Sequence, residues 1–233
     1  MSIQNRELEV LDLTNAAAAL KSHVGSHAPV MIHVLRPLVA RLTELNRHEE
    51  AQQYLEEILV IRRKSASPVL PALTEAYYDY AQNLRKQDKH AEAWDIIVEL
   101  LAEVADEGKN GTLYEAEVRL MLADSQEKMS ARAQAMTQLR KALDIFLKLD
   151  QLARAYSVSN HLARLLAEQG QTAEAVAEAE RAYTFGVRMV GEESHAIIPI
   201  METLLRFYSE AGLRDKWQAL ETRRRALKRE MDR

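Results

Sequence analysis

The stretch RHEEAQQYLEEIL, residues 47–59, has two relatives in the same chain: KHAEAWDIIVELL at 89–101 and QTAEAVAEAERAY at 171–183. In each, an alanine that directly follows a glutamate precedes apolar residues at helical spacing. With a further copy in SARAQAMTQLRKALDIF, these alanine marks lie 42, 42 and 40 residues apart, at Ala51, Ala93, Ala135 and Ala175. One more step of 42 reaches Trp217. The chain therefore repeats one helical phrase about every 42 residues.

A turn-forming residue lies five positions before each of the five marks. These residues are Asn46, Asp88, Ser130, Gly170 and Gly212. Short polar side chains and glycine favour tight turns, because they hydrogen-bond locally or tolerate a positive φ. Apolar residues recur at helical spacing on both sides of each turn. The pattern predicts five helix–turn–helix repeats. Alanines lie where the paired helices approach each other: Ala81, Ala123 and Ala163 in first helices, and the four marks in second helices.

Composition agrees with a helical, soluble protein. Of 233 residues, 47% are hydrophobic and 28% charged, and only 7 Gly and 5 Pro are available for turns. The absence of Cys excludes disulfides and thiolate metal sites. The start has no signal-peptide pattern, and no stretch reaches the ~20 apolar residues that span a bilayer. We therefore expect a cytoplasmic protein without a membrane partner. A net charge of −4 favours no particular partner.

Sequence signatures of catalysis are lacking. The chain contains no Gly-rich phosphate loop, GxSxG elbow or HExxH helix. We therefore expect no enzyme activity and no cofactor. His23, His27 and His33 are the one candidate metal cluster, but a helix that placed the first two on one face would have to run through Gly25. No metal site is predicted.

The basic C-terminal segment leaves two interpretations open. Residues 214–233 include RRR at 223–225, which suits a nucleic-acid or acidic-partner patch. The alternative is a solvated capping helix whose apolar residues face inward; these are Leu213, Trp217, Leu220 and Leu227. No aromatic residues interleave the basic ones, as a single-strand binder would require. We favour the capping helix and expect no nucleic-acid partner.

The repeat resembles the tetratricopeptide repeat (TPR), whose signature is W-x2-L-G-x2-Y followed by A-x3-F. Repeat 2 reads Tyr77-x2-Tyr80-Ala81-x2-Leu84 and then Ala93-x3-Ile97. The 42-residue period exceeds the usual 34 and resembles the longer variety of kinesin light chains and some bacterial TPR regulators. The segments GSHAPV (25–30), SASPVL (65–70) and GEESHAI (191–197) resemble the linkers of that variety.

The resemblance implies an all-α, right-handed α-solenoid of about five TPR-like repeats with an N-terminal capping helix. We expect one domain over residues 1–233. The capping helix covers residues 6–24, and the repeats cover about 28–66, 70–107, 112–150, 152–190 and 195–231. Two local departures are expected: loose packing in repeat 3, which has Arg119 and Gln126 at apolar positions, and a kink or a later helix start near Arg36 caused by Pro37.

In proteins that this chain resembles, first helices line a concave face that holds a partner segment. Carried onto this sequence, the candidate partner-binding residues are Arg36, Tyr78, Gln82, Arg85, Asp124, Asn160, Arg164 and Arg206. The first four would form an early patch with one aromatic anchor, and Asn160, Arg164 and Arg206 a late cationic patch. Arg and Tyr often dominate binding energy. The family's full carboxylate clamp of Lys and Asn is absent.

These observations favour a scaffold or adaptor that binds a peptide or protein segment. Two alternatives stay open. One is a self-associating structural or regulatory protein, a homo-oligomer that uses Trp217 or the segment LDLTNAAAAL at 11–20. The other is a regulator that senses a peptide or small ligand.

Overall fold

The structure, a computed structural model, describes residues 3–64, 70–106, 108 and 110–231. Within these ranges it contains eleven α-helices, two short 3-10 turns and no strand. The helices are α1 (Ile3–Val24), α2 (Ile32–Glu44), α3 (His48–Lys64), α4 (Leu70–Lys86), α5 (His90–Asp106), α6 (Leu113–Lys128), α7 (Arg132–Lys148), α8 (Leu152–Glu168), α9 (Thr172–Val190), α10 (Ile198–Glu210) and α11 (Arg214–Met231). The predicted all-α helix–turn–helix fold is confirmed: α2 to α11 form five pairs, and α1 precedes them.

The five predicted turn residues share one backbone conformation. Their φ angles are positive: 58° at Asn46, 59° at Asp88, 60° at Ser130, 75° at Gly170 and 68° at Gly212. In the first turn the Asn46 N–H bonds the Thr43 carbonyl at 3.1 Å, and the next N–H bonds the Leu42 carbonyl at 2.9 Å. These two hydrogen bonds form a Schellman motif at the end of the helix, and the same pair of hydrogen bonds recurs in all five turns. The offset read from the sequence therefore located the residue that must be left-handed.

Small residues lie where the sequence placed them. The alanine marks of the second helices and the matching alanines of the first helices are each at most 1% exposed. Because alanine has no bulky side chain, the two helices of a pair approach closely there. Around them pack larger apolar residues that are equally buried, such as Leu84, Ile97 and Leu162.

The N-terminal helix begins at Ile3, three residues earlier than predicted. It buries Val10, which clusters with Leu38, Leu42 and Ala51 of the first repeat. Apolar residues of repeat 1 that would otherwise face water are thereby covered, as expected of a capping helix.

Two predicted linkers have the same backbone. Gly25 and Gly191 both have a φ of 84°, and each is followed by a 3-10 turn, Pro29–Met31 and His195–Ile197, that leads directly into the next helix. Of the third predicted linker, residues 65–69 lie outside the described residues.

Of the two predicted local departures, the structure excludes only the later start of α2; a kink at Pro37 stays a prediction. Helix α2 begins at Ile32 and runs through Pro37, so a start near Arg36 is wrong. Proline costs that helix one backbone hydrogen bond but does not end it. In α6 the Arg119 guanidinium is 2.5 Å from Glu115 and 2.9 Å from the Gln138 amide oxygen, whereas the buried amide oxygen of Gln126 has no partner within the described residues. The loose packing of repeat 3 stays a prediction.

The chain divides into two compact units. The first comprises Met1–Asn110 and Asp124–Ala131, and the second comprises Gly111–Ala123 and Arg132–Arg233. The single domain over 1–233 stays a prediction. The core of the second unit is built from α7 to α10, with Phe146, Leu162 and Leu204 among its buried residues.

Candidate functional site: a groove between α2, α3 and α4

The first compact unit contains a groove of about 960 Å³ between α2, α3 and α4. We call it the α2–α4 groove. Helix α2 lines it with Ile32, His33, Arg36, Pro37, Val39, Ala40 and Thr43, α3 with Leu55, Ile58 and Arg62, and α4 with Tyr78, Asp79, Gln82, Asn83 and Lys86.

The groove has an apolar floor and a polar rim. Leu55 and Ile58 of α3 are 2% and 4% exposed and form the floor. Pro37 and Ala40 are exposed along α2, and Tyr78 of α4 is 45% exposed. The lining thus combines apolar and polar side chains, and a half-exposed tyrosine suits an anchor for a bound segment.

Arg36 lines the groove, but its charge is already compensated. Its guanidinium bonds both carboxylate oxygens of Glu75, at 3.0 and 2.5 Å, and lies 3.6 Å from Asp79. The hydrogen bonds to Glu75 raise the pKa of Arg36. Burial raises the pKa of Asp79, the Arg36 charge opposes that rise, and Glu75 adds to it. Arg36 therefore joins neighbouring repeats rather than presenting a free cation.

Arg85 is placed differently from the prediction. It does not line the α2–α4 groove; its side chain is 9% exposed and lies 2.6 Å from Asp124 and 2.6 Å from the Ser125 hydroxyl. Asp124 is 47% exposed and pairs with Arg85. Of the early patch, the structure brings Arg36, Tyr78 and Gln82 to the groove and places Arg85 at the next junction between repeats.

Comparison of the sequence with known families identifies the repeat. Residues 38–68 and 157–196 match the sequence model of the tetratricopeptide repeat. These two segments are tetratricopeptide repeats. The matched segments take in the second half of α2 with α3, and α8 with α9. No curated protein matches the sequence.

Solved structures show the same TPR-like fold. BtubC (BKLC) from P. vanneervenii superposes with a TM-score of 0.71 at 18% identity, covering 100% of this chain and 93% of that one. Repeats of a Podosopora anserina kinesin light chain give 0.67 at 20% identity, covering 88% and 99%. The apo form of RapI gives 0.58 at 12% identity, covering 98% and 95%. At these identities the likeness establishes the fold alone.

The late patch lies in the second compact unit, where Asn160 and Arg164 fall within a segment that matches the tetratricopeptide repeat. The Asn160 amide donates to the Tyr156 carbonyl at 3.1 Å, and Arg164 pairs with Glu168 one helical turn away at 2.6 Å. Arg206 is exposed, with its guanidinium carbon 5.6 Å from the Phe207 ring centroid. Among the described residues no carboxylate pairs with Arg206. A binding role for these three residues stays a prediction.

The basic residues of α11 are largely neutralised within the protein. Arg223 bonds Glu192 at 2.7 Å, Arg224 bonds Glu202 at 2.8 Å, and Lys216 bonds Glu180 at 2.7 Å. Leu227 is buried, and Leu213, Trp217 and Leu220 pack partly buried against the core of the second unit. The structure therefore agrees with the capping helix rather than with a nucleic-acid patch.

Sequence reasoning missed Arg62, Asn83 and Lys86 in the groove. Arg62 belongs to a second helix, and only first helices were expected to line the binding face. Asn83 had a visible signal, because it is a polar residue between the core residues Ala81 and Leu84.

Two further searches cover the part of the chain that the structure describes. No described helix is long and apolar enough to span a bilayer. No three His, Asp or Glu side chains within the described ranges come together as metal ligands, and the three N-terminal histidines do not form a cluster.

Proposed function

We propose that the chain is a protein-interaction scaffold that holds a peptide segment of a partner in the α2–α4 groove. The observation that carries the proposal is the groove of about 960 Å³, whose lining includes the exposed residues Pro37 and Ala40 and the half-exposed ring of Tyr78. TPR folds are typical of protein-interaction scaffolds, and binding a peptide segment requires no catalytic residue.

The groove has room for several residues of an extended segment. It follows α2 from Ile32 to Thr43, which at 1.5 Å per residue is about 17 Å. At ~3.3 Å per extended residue this length fits about five residues. Apolar side chains of the segment would lie on the exposed Pro37 and Ala40 and against Tyr78.

A groove-filling substitution tests the proposal. Ala40 is exposed in the groove, so Ala40→Arg fills it from the helix surface without disturbing the core. Ala102→Arg, on the exposed face of α5, is the matched control. We expect partners captured by the unchanged chain, identified by mass spectrometry, to be lost with Ala40→Arg and kept with Ala102→Arg. Equal capture by both variants would remove the groove from the mechanism.

Self-association is a second candidate, favoured by exposed apolar residues of α1. Ile3, Leu8 and Leu11 are 72%, 60% and 56% exposed. An apolar helix face of this kind suits a second copy of the chain. Trp217, the other residue expected to mediate self-association, is less suitable, because it is partly buried against the core of the second unit.

Light scattering tests this second candidate. We expect a mass above that of the 26.5 kDa monomer at tens of micromolar, and a return to the monomer mass with Leu8→Glu and Leu11→Glu. The control is Val98→Glu, which changes a 36% exposed apolar residue of α5 and should leave the mass measured by light scattering unchanged. A monomer mass for the unchanged chain would argue against self-association.

A further inference from the structure

One asparagine of the chain is followed directly by glycine, and it lies in an exposed turn. Among the six asparagines of the sequence, only Asn110 has this neighbour, Gly111. Both residues are exposed, and they precede helix α6, which begins at Leu113. Because glycine has no side chain, its backbone nitrogen can approach the side-chain amide of the residue before it. The pair is therefore the place in this sequence where an asparagine amide and the following backbone nitrogen are best able to react.

The reaction of such a pair is deamidation through a cyclic imide. The Gly111 nitrogen loses its proton to hydroxide and attacks Cγ of Asn110, so that a new C–N bond forms. The bond from Cγ to the side-chain nitrogen then breaks, and ammonia leaves after taking a proton from water. Water opens the imide at either carbonyl, which gives aspartate or isoaspartate. The net change consumes water, releases ammonia and replaces a neutral amide by a carboxylic acid that ionises at neutral pH.

Backbone hydrogen bonds hold the nitrogens that follow other asparagines. Three asparagines lie inside helices, where the next N–H belongs to the helical ladder: Asn15, Asn83 and Asn160. In the turn at Asn46, the next N–H bonds a carbonyl of α2 at 2.9 Å. At Asn110 the next N–H has a side-chain partner instead, and this partner controls how easily the nitrogen is released.

A buried carboxylate holds the reacting nitrogen. The Gly111 N–H donates to Glu115 Oε2, with 2.5 Å between nitrogen and oxygen. Thr112 and Glu115 have the spacing of a capping box, in which a glutamate in the first helical turn reaches back to a backbone N–H. Glu115 is 7% exposed, and its Oε1 accepts from Arg119 at 2.7 Å. Burial would raise the pKa of Glu115, but the hydrogen bonds from Gly111 and Arg119 outweigh it and lower the pKa, so the carboxylate is ionised at neutral pH.

This contact opposes deamidation in two ways. The Gly111 N–H must leave a charge-assisted hydrogen bond before it loses its proton, and such bonds are stronger than neutral ones. The deprotonated nitrogen is then negative beside a negative carboxylate, and like charges at this separation repel. Arg119 keeps the carboxylate in place, since its guanidinium is also bonded to the Gln138 amide oxygen at 2.9 Å. Both effects raise the barrier to attack on Asn110.

We propose that Asn110 is a deamidation site and that the Glu115 carboxylate restrains the reaction by holding the Gly111 N–H. The exposed turn before α6 thus contains a neutral side chain that converts to a carboxylate with time, at a rate set by a buried residue. This modification is independent of the α2–α4 groove, so its test does not depend on the proposed function.

Incubation of the full chain at neutral pH, followed by peptide mapping with mass spectrometry, measures the reaction at Asn110. Digestion in mild acid avoids deamidation during the mapping itself. A synthetic peptide of residues 108–114 supplies the unrestrained rate. Loss of a hydrogen bond to a charged group corresponds to roughly tenfold to a hundredfold in rate, and we expect the folded chain to react more slowly than the peptide by about that factor. A product mixture that contains isoaspartate supports the imide route, whereas aspartate alone would overturn it.

Matched variants test the role of Glu115. Glu115→Ala removes both charge and acceptor and should bring the rate at Asn110 close to that of the peptide. Glu115→Gln keeps an acceptor without the charge and should give an intermediate rate. The control is Glu117→Gln, which removes a carboxylate of the same helix that pairs with Arg154, and it should leave the rate unchanged. Circular dichroism checks that each variant is folded during incubation, and if Glu115→Ala is not, Glu115→Gln decides.

Two results would overturn the proposal. Equal rates for the folded chain and the peptide, or equal rates for Glu115→Gln and Glu117→Gln, would show that Glu115 does not restrain the reaction. An unmodified Asn110 in folded Glu115→Gln, over a period in which the peptide is converted, would show that the turn itself prevents attack and that Asn110 is no deamidation site.

Discussion

The left-handed turn residues predict opposite stability changes at equivalent positions. Ser130 and Gly170 are both the C-terminal turn residue of a first helix, with φ angles of 60° and 75°. Serine has no special tolerance for this region, whereas glycine adopts it freely. We therefore expect Ser130→Gly to stabilise the protein and Gly170→Ala to destabilise it, although both exchanges involve one small residue in the same kind of turn.

The magnitudes follow from two opposing effects. A side chain with a Cβ costs roughly 1–2 kcal/mol in the left-handed region, while glycine loses roughly 0.4–1 kcal/mol more chain entropy on folding. The net change is about 1 kcal/mol in each direction. At Gly170 the loss of stability comes from the backbone conformation and not from crowding by neighbours, because an added Cβ would meet nothing within 4 Å. Asn46→Gly should change stability less than Ser130→Gly, since asparagine tolerates the region.

Urea unfolding and thermal melting, each followed by circular dichroism, measure these changes. A difference of 1 kcal/mol shifts the melting temperature by roughly 2–4 °C for a chain of this size. Gly212→Ala repeats the test at the last turn, where an added Cβ is equally free of contacts. The reasoning fails if Ser130→Gly and Gly170→Ala change stability in the same direction, or if Asn46→Gly stabilises as much as Ser130→Gly.

Three further predictions concern packing and charge. An added Cβ at Gly186 would lie 2.7 Å from Ile200 Cγ2, so Gly186→Ala should destabilise the protein by about 1–2 kcal/mol through overpacking. In an Ile200→Ala background the same substitution should stabilise the protein, because only the higher helix propensity of alanine remains. A double-mutant cycle measured by urea unfolding checks both expectations. Hydrogen bonds from Arg224 and Arg225 lower the pKa of Glu221 from 4.5 to about 2. The stability that the charged Glu221 contributes is therefore present above pH 4.5 and is lost as the pH falls towards 2. The melting temperatures of the unchanged chain and of Glu221→Gln should differ at pH 7 and converge over that interval. Arg85→Ala should cost about 1–2 kcal/mol in urea unfolding, because the buried guanidinium packs its stem and satisfies a buried hydroxyl, and an unchanged midpoint would show that it does neither.

The turns could be predicted from the sequence because their requirement is local. A single residue at a fixed offset supplies the left-handed conformation, so Asp88 or Gly212 identifies its turn without knowledge of the rest of the fold. The alanine marks were predictable for a similar reason, since a close helix contact needs a small residue at one place in each repeat.

The roles of the groove residues depend on pairs of helices and were less predictable. Arg36 and Arg85 were expected to face a partner, but each pairs with a carboxylate 39 residues later, Glu75 and Asp124. The common offset of 39, three less than the repeat period, was a signal that the sequence carried. The unpartnered amide of Asn83 had no comparable signal, because it depends on how the Gln87 side chain is oriented by a backbone carbonyl.

Two consecutive junctions between repeats of the first unit differ in how a buried polar side chain is satisfied. At the second junction Arg85 crosses to the next helix and satisfies Ser125, so its buried polar group has an internal partner. At the first junction Thr43 stands in place of that arginine, and the buried Nδ2 of Asn83 has no hydrogen-bond partner within the described residues. The two junctions therefore differ in whether an arginine of the preceding repeat reaches the buried polar side chain of the next one.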